Sequence, residues 1–199
     1  MIDEGYIKFK CEWTEGPAPV GIADLVEVRN EMYQLGLIGA YQPEGIGYGN
    51  ISKKLDSGEF VISCSATGLV ETATPAHFCI VNEVSVAENL VKCYGPAPAS
   101  SESLTHAMIY SCDPTINAVI HAHSQALWKQ LLLSHPFTAK DVPYGTPEMA
   151  KEVIRLFTET ELKTLKTFAM AGHDEGIVTF GSKLNEARSK MLKILAFPK

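Results

Sequence analysis

The chain has 199 residues, enough for a sizeable hydrophobic core, and we take residues 1–199 as a single domain. Hydrophobic residues make up 46% of the chain and charged residues 20%, a composition typical of globular proteins and not of disordered ones. The formal net charge of −6, with no block of Lys or Arg, argues against a nucleic-acid partner, which would require a basic face.

The sequence carries no sign of export or membrane insertion. The opening stretch MIDEGYIKFKCEW lacks the apolar core of a signal peptide, and no run of about 18 apolar residues could span a membrane. The five cysteines are odd in number and contain no CxxC pair, which favours reduced thiols over a disulfide framework or a cysteine zinc site. We therefore expect a cytoplasmic protein.

The first half of the chain predicts one helix followed by strands. Residues 21–39 have an amphipathic helical pattern that ends at a glycine. The apolar stripe of this helix contains Ile22, Leu25, Val26, Met32 and Leu35. Residues 60–65 and 77–82 are short, β-rich and bounded by turn formers, so we predict two strands, and residues 87–95 are compatible with a third.

The second half alternates helices and strands. The strands are predicted at 115–123 and, as a pair around a tight connection, within 166–181. The helices are predicted at 100–112, capped by serines and closed by Asp113-Pro114, and at 124–133, 148–159 and 184–197. Because the strands come partly in runs, this α/β pattern disfavours a purely parallel sheet.

The stretch INAVIHAHSQ places two histidines at the end of an apolar strand. Side chains alternate along a strand, so His121 and His123 share one face, roughly 6.6 Å apart along the backbone. Two imidazoles on one face can bind one divalent ion, although HxH also occurs by chance on solvated faces. A buried unsatisfied imidazole is costly, and His173, in the turn MAGHDEG, would complete the three protein ligands of a catalytic zinc.

Other polar stretches are weak signals when taken alone. In PASSES, Ser100 and Ser101 lie at a predicted helix start, where they could bind an anion or, as we favour on local grounds, cap the helix. Glu102 is an acid of the kind common in a first turn. The glycine-rich stretch EGIGYGNISKK (44–54) and SATG (65–68) could wrap a phosphate but match no nucleotide motif. We interpret the other histidines as structural: His77, His106 and His135.

Taken in order, GNIS, SATG, SSE, HAH and a late GH resemble the class II aldolase/adducin family. The joint pattern is specific, because the first histidine of HxH follows the acid of SSE by 19 residues. The resemblance runs from the helix near residue 22 to the final helix. It implies a three-layer α/β/α domain with a central, mainly antiparallel sheet, and a homotetramer with active sites at subunit interfaces.

The resemblance also implies roles for individual residues. His121, His123 and His173 would bind a divalent ion, Zn²⁺ or else Mn²⁺ or Co²⁺, and Glu102 would be the catalytic acid/base that also coordinates the metal before substrate arrives. Tyr144 is a candidate proton donor, because VPYGTP falls where some relatives bring a tyrosine or acid to a neighbouring subunit's site. The positions that would hold a substrate phosphate are Gly49, Asn50, Thr67, Gly68, Ser100 and Ser101.

The implied function is that of a metal-dependent lyase, an aldolase that cleaves a small phosphorylated ketose to dihydroxyacetone phosphate and an aldehyde. Alternatives in the same family are dehydration of methylthioribulose phosphate, epimerisation of a pentulose phosphate at C4, and a non-catalytic adducin-like scaffold.

Three departures from the family pattern bear on the substrate. This chain has Thr67 in SATG where family members commonly have a serine, and Lys53 and Lys54 where they often have an arginine shortly after GNxS. Its third histidine lies in GHDEG, whereas the usual context in the family is NHG. In the last of these, Asp174 or Glu175 could orient a ligand or contact substrate, although we favour the interpretation of both as exposed acids of the turn.

Overall fold

The structure is a computed structural model that describes residues 5–196. Its strands are β1 (Lys10–Glu15), β2 (Gly39–Tyr41), β3 (Ile46–Tyr48), β4 (Asn50–Lys54), β5 (Phe60–Ser63), β6 (Phe78–Ser85), β7 (Leu90–Gly95), β8 (Ala118–His123), β9 (Thr167–Ala169) and β10 (Gly176–Gly181). Its helices are α1 (Ala23–Gln34), α2 (Ser103–Cys112), α3 (Gln125–Ser134), α4 (Pro147–Glu159), α5 (Leu162–Leu165) and α6 (Leu184–Leu195). Phe197, the last residue of the predicted closing helix, lies outside the described residues.

Eight strands of the described range form one sheet in the order β1–β7–β6–β5–β4–β8–β10–β9. Within residues 5–196, β1 and β7 pair in parallel and the other neighbouring pairs of this sheet are antiparallel. The separate β2–β3 hairpin is antiparallel as well. The predicted α/β fold with a central, mainly antiparallel sheet is therefore confirmed.

Helices cover both faces of the sheet. The apolar faces of α1, α3 and α6 pack on one side, and those of α2, α4 and α5 pack on the other. Strand β8 lies between β4 and β10 in the middle layer, and all six residues of AVIHAH are buried, which explains why all of them except the two histidines are apolar. Among the helices of residues 5–196, none combines the length and apolar character that crossing a membrane requires.

The predicted elements are confirmed within a few residues at their ends, with two corrections. Helix α2 begins at Ser103 with Glu102 at its N-cap and no side-chain cap, so the serines before it do not cap it as predicted. In α1, the stripe prediction is wrong at Leu35, which is 41% exposed beyond the last helical turn, whereas Arg29 is buried.

Several elements were not predicted from the sequence. Strand β1, the β2–β3 hairpin, β4 and the four-residue α5 are short, or lie in a glycine-rich stretch that lacks a strand-like alternation. Most of these patterns are too short for a periodicity to stand out, and β1, although six residues long, is mainly polar and exposed.

Arg29 ties helix α1 to the loop that follows β5. Its guanidinium donates to the backbone carbonyls of Thr67 at 2.7 Å and Glu71 at 3.3 Å, and also to that of Val70. The side chain is 1% exposed. Because a buried guanidinium is costly to leave unpaired, its hydrogen bonds to these carbonyls fix the position of the loop that carries Thr67 and Gly68.

Replacing Arg29 by Met should lower the free energy of unfolding by about 2–3 kcal/mol, because a buried guanidinium loses its hydrogen bonds to three backbone carbonyls. Arg188→Met is the matched control. It removes a partly exposed arginine that pairs with Glu31 of α1, and should cost about 1 kcal/mol or less. Urea unfolding of both variants measures the difference, and equal losses would contradict the role given to Arg29.

Candidate active site

Three buried histidines meet at the end of the central strands. His121 and His123 lie on β8, and His173 lies in the turn between β9 and β10, close to Gly176, which pairs with His123. One ring nitrogen from each histidine lies within 4.8 Å of the others. The Nε2 atoms of His123 and His173 are 3.1 Å apart. The structure thus brings together the three histidines that the sequence analysis singled out.

The chemical state of these rings suits a divalent cation. Burial is the larger cause of the lowered pKa of His121 and His123, and the positive charge of neighbouring histidines adds to it. Burial also lowers the pKa of His173, to about 3, with a smaller contribution from the charge of Lys8. Neutral imidazoles present a lone pair to a metal. His121 Nε2 is buried and has no hydrogen-bond partner among residues 5–196, as expected of a ligand atom. The residues present therefore fit a metal centre.

Glycine is required beside these rings. A Cβ atom on Gly176 would lie 2.7 Å from His173 Cδ2 and 3.2 Å from His121 Nε2. A larger residue at this position would push the histidines apart.

Glu102 lies next to the histidines at the N-cap of α2. Its Oε1 is 3.7 Å from His173 Nε2, and its Oε2 accepts a 2.8 Å hydrogen bond from Thr105 Oγ1. Burial raises the pKa of Glu102 to about 7, an effect that the Thr105 hydrogen bond and the charge of Lys8 partly offset. A carboxyl group with a pKa near neutrality can both take up and release a proton under physiological conditions.

Tyr144 lies beside His173 at another side of the histidine cluster. Its ring is 4.5 Å from that of His173, and its hydroxyl accepts a 3.0 Å hydrogen bond from the backbone N–H of Tyr6. The ammonium of Lys8 lies 3.7 Å from the centre of the Tyr144 ring. Tyr144 thus contacts His173 of its own chain, and the N-terminal segment brings a lysine, Lys8, that no sequence pattern pointed to.

The six residues assigned to phosphate binding line one small pocket. Gly5 of the N-terminal segment joins Gly49, Asn50, Thr67, Gly68, Ser100 and Ser101 in its wall. Gly68 is needed for this close packing, because a Cβ atom there would overlap the carbonyl oxygen of Gly39. That the pocket holds a phosphate stays a prediction.

Hydrogen bonds within the protein determine which groups of this pocket can still donate to a ligand. Thr67 Oγ1 donates to the Cys64 carbonyl at 2.8 Å, so its hydroxyl proton is engaged. Asn50 Nδ2 lies 3.3 Å from His121 Nδ1 and links the pocket to the histidines. Lys53, one of the two lysines at the arginine position, pairs with Asp24 on α1.

The remaining histidines lie outside the cluster, as predicted. His106 is buried, with its Nδ1 2.7 Å from Ser52 Oγ, and burial lowers its pKa. His135 follows α3, with its Nδ1 2.9 Å from Ser134 Oγ. Of the two acids after His173, Asp174 is exposed, whereas Glu175 accepts a hydrogen bond from Tyr41, a residue that no sequence pattern pointed to.

We expect His123→Ala to abolish binding of a divalent metal, because it removes one of three convergent ligands. His135→Ala is the control and should retain the metal content of the wild type. Elemental analysis of protein purified without chelator measures both. Equal metal loss in the two variants would mean that the ligands are misassigned.

Comparison with known proteins covers most of the chain. The family model described as Class II Aldolase and Adducin N-terminal domain matches residues 23–195. The 3-oxo-tetronate 4-phosphate decarboxylase of Haemophilus influenzae is 26% identical over 161 residues, which make up 71% of this chain and 70% of that protein.

Solved structures share the fold at lower identity. L-fuculose-1-phosphate aldolase of Thermus thermophilus superposes with a TM-score of 0.63 at 23% identity, over 86% of this chain and 87% of that one. YgbL of Escherichia coli, described in terms of aldolase, epimerase and decarboxylase activities, gives a TM-score of 0.62 at 20% identity, over 86% of this chain and 83% of that one. At this identity, these likenesses show the fold alone.

Proposed function

Because the chain belongs to the class II aldolase and adducin family, we propose that it is a divalent-metal-dependent lyase acting on a small phosphorylated sugar. The proposed reaction is retro-aldol cleavage of a ketose phosphate to dihydroxyacetone phosphate and an aldehyde. The observation that carries the proposal is the convergence of three neutral histidines with a carboxyl group of pKa about 7. A buried cluster of this kind has the composition of a catalytic metal site.

The cleavage breaks the bond between C3 and C4 of a ketose 1-phosphate, removes the proton of the C4 hydroxyl and returns a proton to C3. When bound, a divalent cation supplies the Lewis acid that polarises the substrate carbonyl and offsets the negative charge left by bond breaking. His121, His123 and His173 would hold it. Glu102 is suited to carry the proton at C3, because its carboxyl group lies beside the histidines, with Oε1 3.7 Å from His173 Nε2.

Tyr144 and the pocket have separate tasks in this scheme. The hydroxyl of Tyr144 lies on the Lys8 side of the cluster and would exchange the proton of the C4 oxygen. Residues 49–50, 67–68 and 100–101 would anchor the phosphate. Fixing the phosphate orients the reacting carbons relative to Glu102, which lowers the entropic part of the barrier.

A second candidate reaction is decarboxylation of a 3-oxo acid phosphate. The name of the Haemophilus influenzae relative suggests it, and Lys8 supports it, because an ammonium beside the histidines favours a substrate with a second anionic group. The reaction breaks a carbon–carbon bond, releases CO₂ and leaves the same kind of carbanion to be protonated.

Within the same family, dehydration and epimerisation remain alternatives. The position of Glu102 in SSE favours the aldolase over the dehydratase, whereas a non-catalytic scaffold would have no need of three histidines and an acid. We further propose zinc as the native metal, a single domain, a homotetramer with active sites at subunit interfaces and a cytoplasmic location. The resemblance to the family supports the tetramer, and the cysteine pattern supports the location.

The experiment that tests the function follows dihydroxyacetone phosphate release from a panel of ketose 1-phosphates, and CO₂ release from 3-oxo-tetronate 4-phosphate, each with and without chelator. We expect chelator-sensitive release of dihydroxyacetone phosphate. Glu102→Gln should keep the fold and lower kcat about 100-fold or more, whereas the exposed control Glu88→Gln should have no effect. Release of CO₂ from the oxo acid, with no dihydroxyacetone phosphate from any ketose 1-phosphate, would favour the decarboxylase. A metal-loaded protein that cleaves neither kind of substrate would exclude both reactions.

Lys8→Met distinguishes substrates by their charge. If Lys8 contacts a substrate carboxylate, the variant should lower kcat/KM for the 3-oxo acid phosphate about tenfold to a hundredfold, and that for a ketose phosphate much less. Lys10→Met is the matched control, because Lys10 lies on β1 and pairs with the exposed Glu12. Steady-state kinetics on both substrates provide the comparison, and equal effects would argue against a carboxylate contact.

A further inference from the structure

Tyr41 and Glu175 form a hydrogen-bonded chain that reaches His123 at its Nδ1 atom. The hydroxyl of Tyr41 lies 2.9 Å from His123 Nδ1 and donates a 3.0 Å hydrogen bond to Glu175 Oε2. A phenolic hydroxyl has one proton, so a hydroxyl that donates to Glu175 faces His123 as an acceptor. This arrangement places a proton on His123 Nδ1 and leaves the lone pair on Nε2, the nitrogen that faces His173.

The hairpin that carries Tyr41 also holds the imidazole ring in place. Tyr48, on the opposite strand of the hairpin, stacks on His123 with ring centres 5.3 Å apart and an interplanar angle of 27°. Tyr41 meets the same ring edge-on at 6.2 Å. The ring of His123 is therefore contacted on its face by one tyrosine and at its Nδ1 edge by the other.

The backbone at Glu175 indicates that its side chain is needed there. The residue has a φ of +68°, a left-handed conformation that costs a residue with a Cβ atom about 1 kcal/mol or more. Its carbonyl accepts from Ser124 N–H at 3.0 Å, which fixes the turn between His173 and β10. Glycine or asparagine would adopt this conformation at less cost, but neither could extend a carboxylate to Tyr41.

We propose that Tyr41 and Glu175 are positioning residues of the metal centre. They set the tautomer and the orientation of His123, so that the lone pair of Nε2 would be available to a cation held by the three histidines, and they increase the electron density of the ring. Outer-shell hydrogen bonds of this kind typically change metal affinity by about 10–100-fold. The inference rests on the metal centre of the proposed function, and it assigns to Glu175 the role that the sequence left open between Asp174 and Glu175.

The test measures the affinity for Zn²⁺ by competition with a chromophoric chelator. Tyr41→Phe keeps the ring, removes the hydroxyl and should weaken binding about 10–100-fold. Glu175→Ala should weaken binding in the same direction, and Glu175→Gln, which retains an oxygen acceptor for Tyr41, should recover part of the loss. Tyr48→Phe and Asp174→Asn are matched controls with expected affinities close to the wild type, because neither removes a contact to His123 Nδ1.

A double-mutant cycle distinguishes a relay, in which Glu175 acts on His123 through Tyr41, from two independent structural effects on Zn²⁺ affinity. If Glu175 acts through Tyr41, the variant with both Tyr41→Phe and Glu175→Ala should bind Zn²⁺ no more weakly than Tyr41→Phe alone. The ¹⁵N resonances of the metal-free protein give a second measurement, since the wild type should show His123 protonated at Nδ1 and Tyr41→Phe should show a mixture of tautomers.

Additive losses in the cycle, or wild-type affinity in Tyr41→Phe, would overturn the proposal, as would a wild type that binds no metal. A wild type that binds Zn²⁺ with the expected couplings but cleaves no sugar phosphate would uphold the relay and reject the proposed reaction.

Discussion

The constraint on which the structure depends is the burial of three neutral imidazoles and a carboxyl group at the end of the central strands. Polar groups in such a place must find partners, because an unpaired one costs about 1–3 kcal/mol. Most do: Asn50 lies against His121, Tyr41 against His123 and Thr105 against Glu102. His121 Nε2 finds none among residues 5–196, and it faces the point where the ligand atoms converge. The fold thus leaves His121 Nε2 without a hydrogen-bond partner among the described residues, and a bound cation would interact with its lone pair.

The parts of the site that the sequence predicts are those set by local geometry. Alternation along β8 puts His121 and His123 on one face whatever the rest of the chain does, and a glycine-flanked turn can aim His173. Tyr41, Lys8 and Arg29 could not be predicted in this way. Their positions follow from a short hairpin, from the N-terminal segment and from a buried arginine in a polar helix, all of which depend on contacts across the fold.

The same distinction explains which parts of the fold were predictable. Long periodic elements such as α4 and α6 were located within a few residues, because an apolar face repeats over several turns. The predicted capping serines were the exception: Ser100 and Ser101 line the pocket instead of capping the start of the helix, because α2 begins only after Glu102. Because the helix begins three residues later than predicted, both serines lie in the wall of the pocket, and the Glu102 carboxyl group lies against His173.

The metal centre alone does not decide the reaction. Aldol cleavage and decarboxylation both break a carbon–carbon bond beside a polarised carbonyl, and both leave a carbanion that needs one proton, so three histidines and Glu102 serve either. The choice depends on the groups that face the departing fragment. Tyr144 can exchange a proton with an alkoxide, which suits an aldehyde product, whereas Lys8 attracts a carboxylate. The two side chains lie in contact, with the Lys8 ammonium 3.7 Å from the centre of the Tyr144 ring, so under the proposed function both would face the same fragment of the substrate.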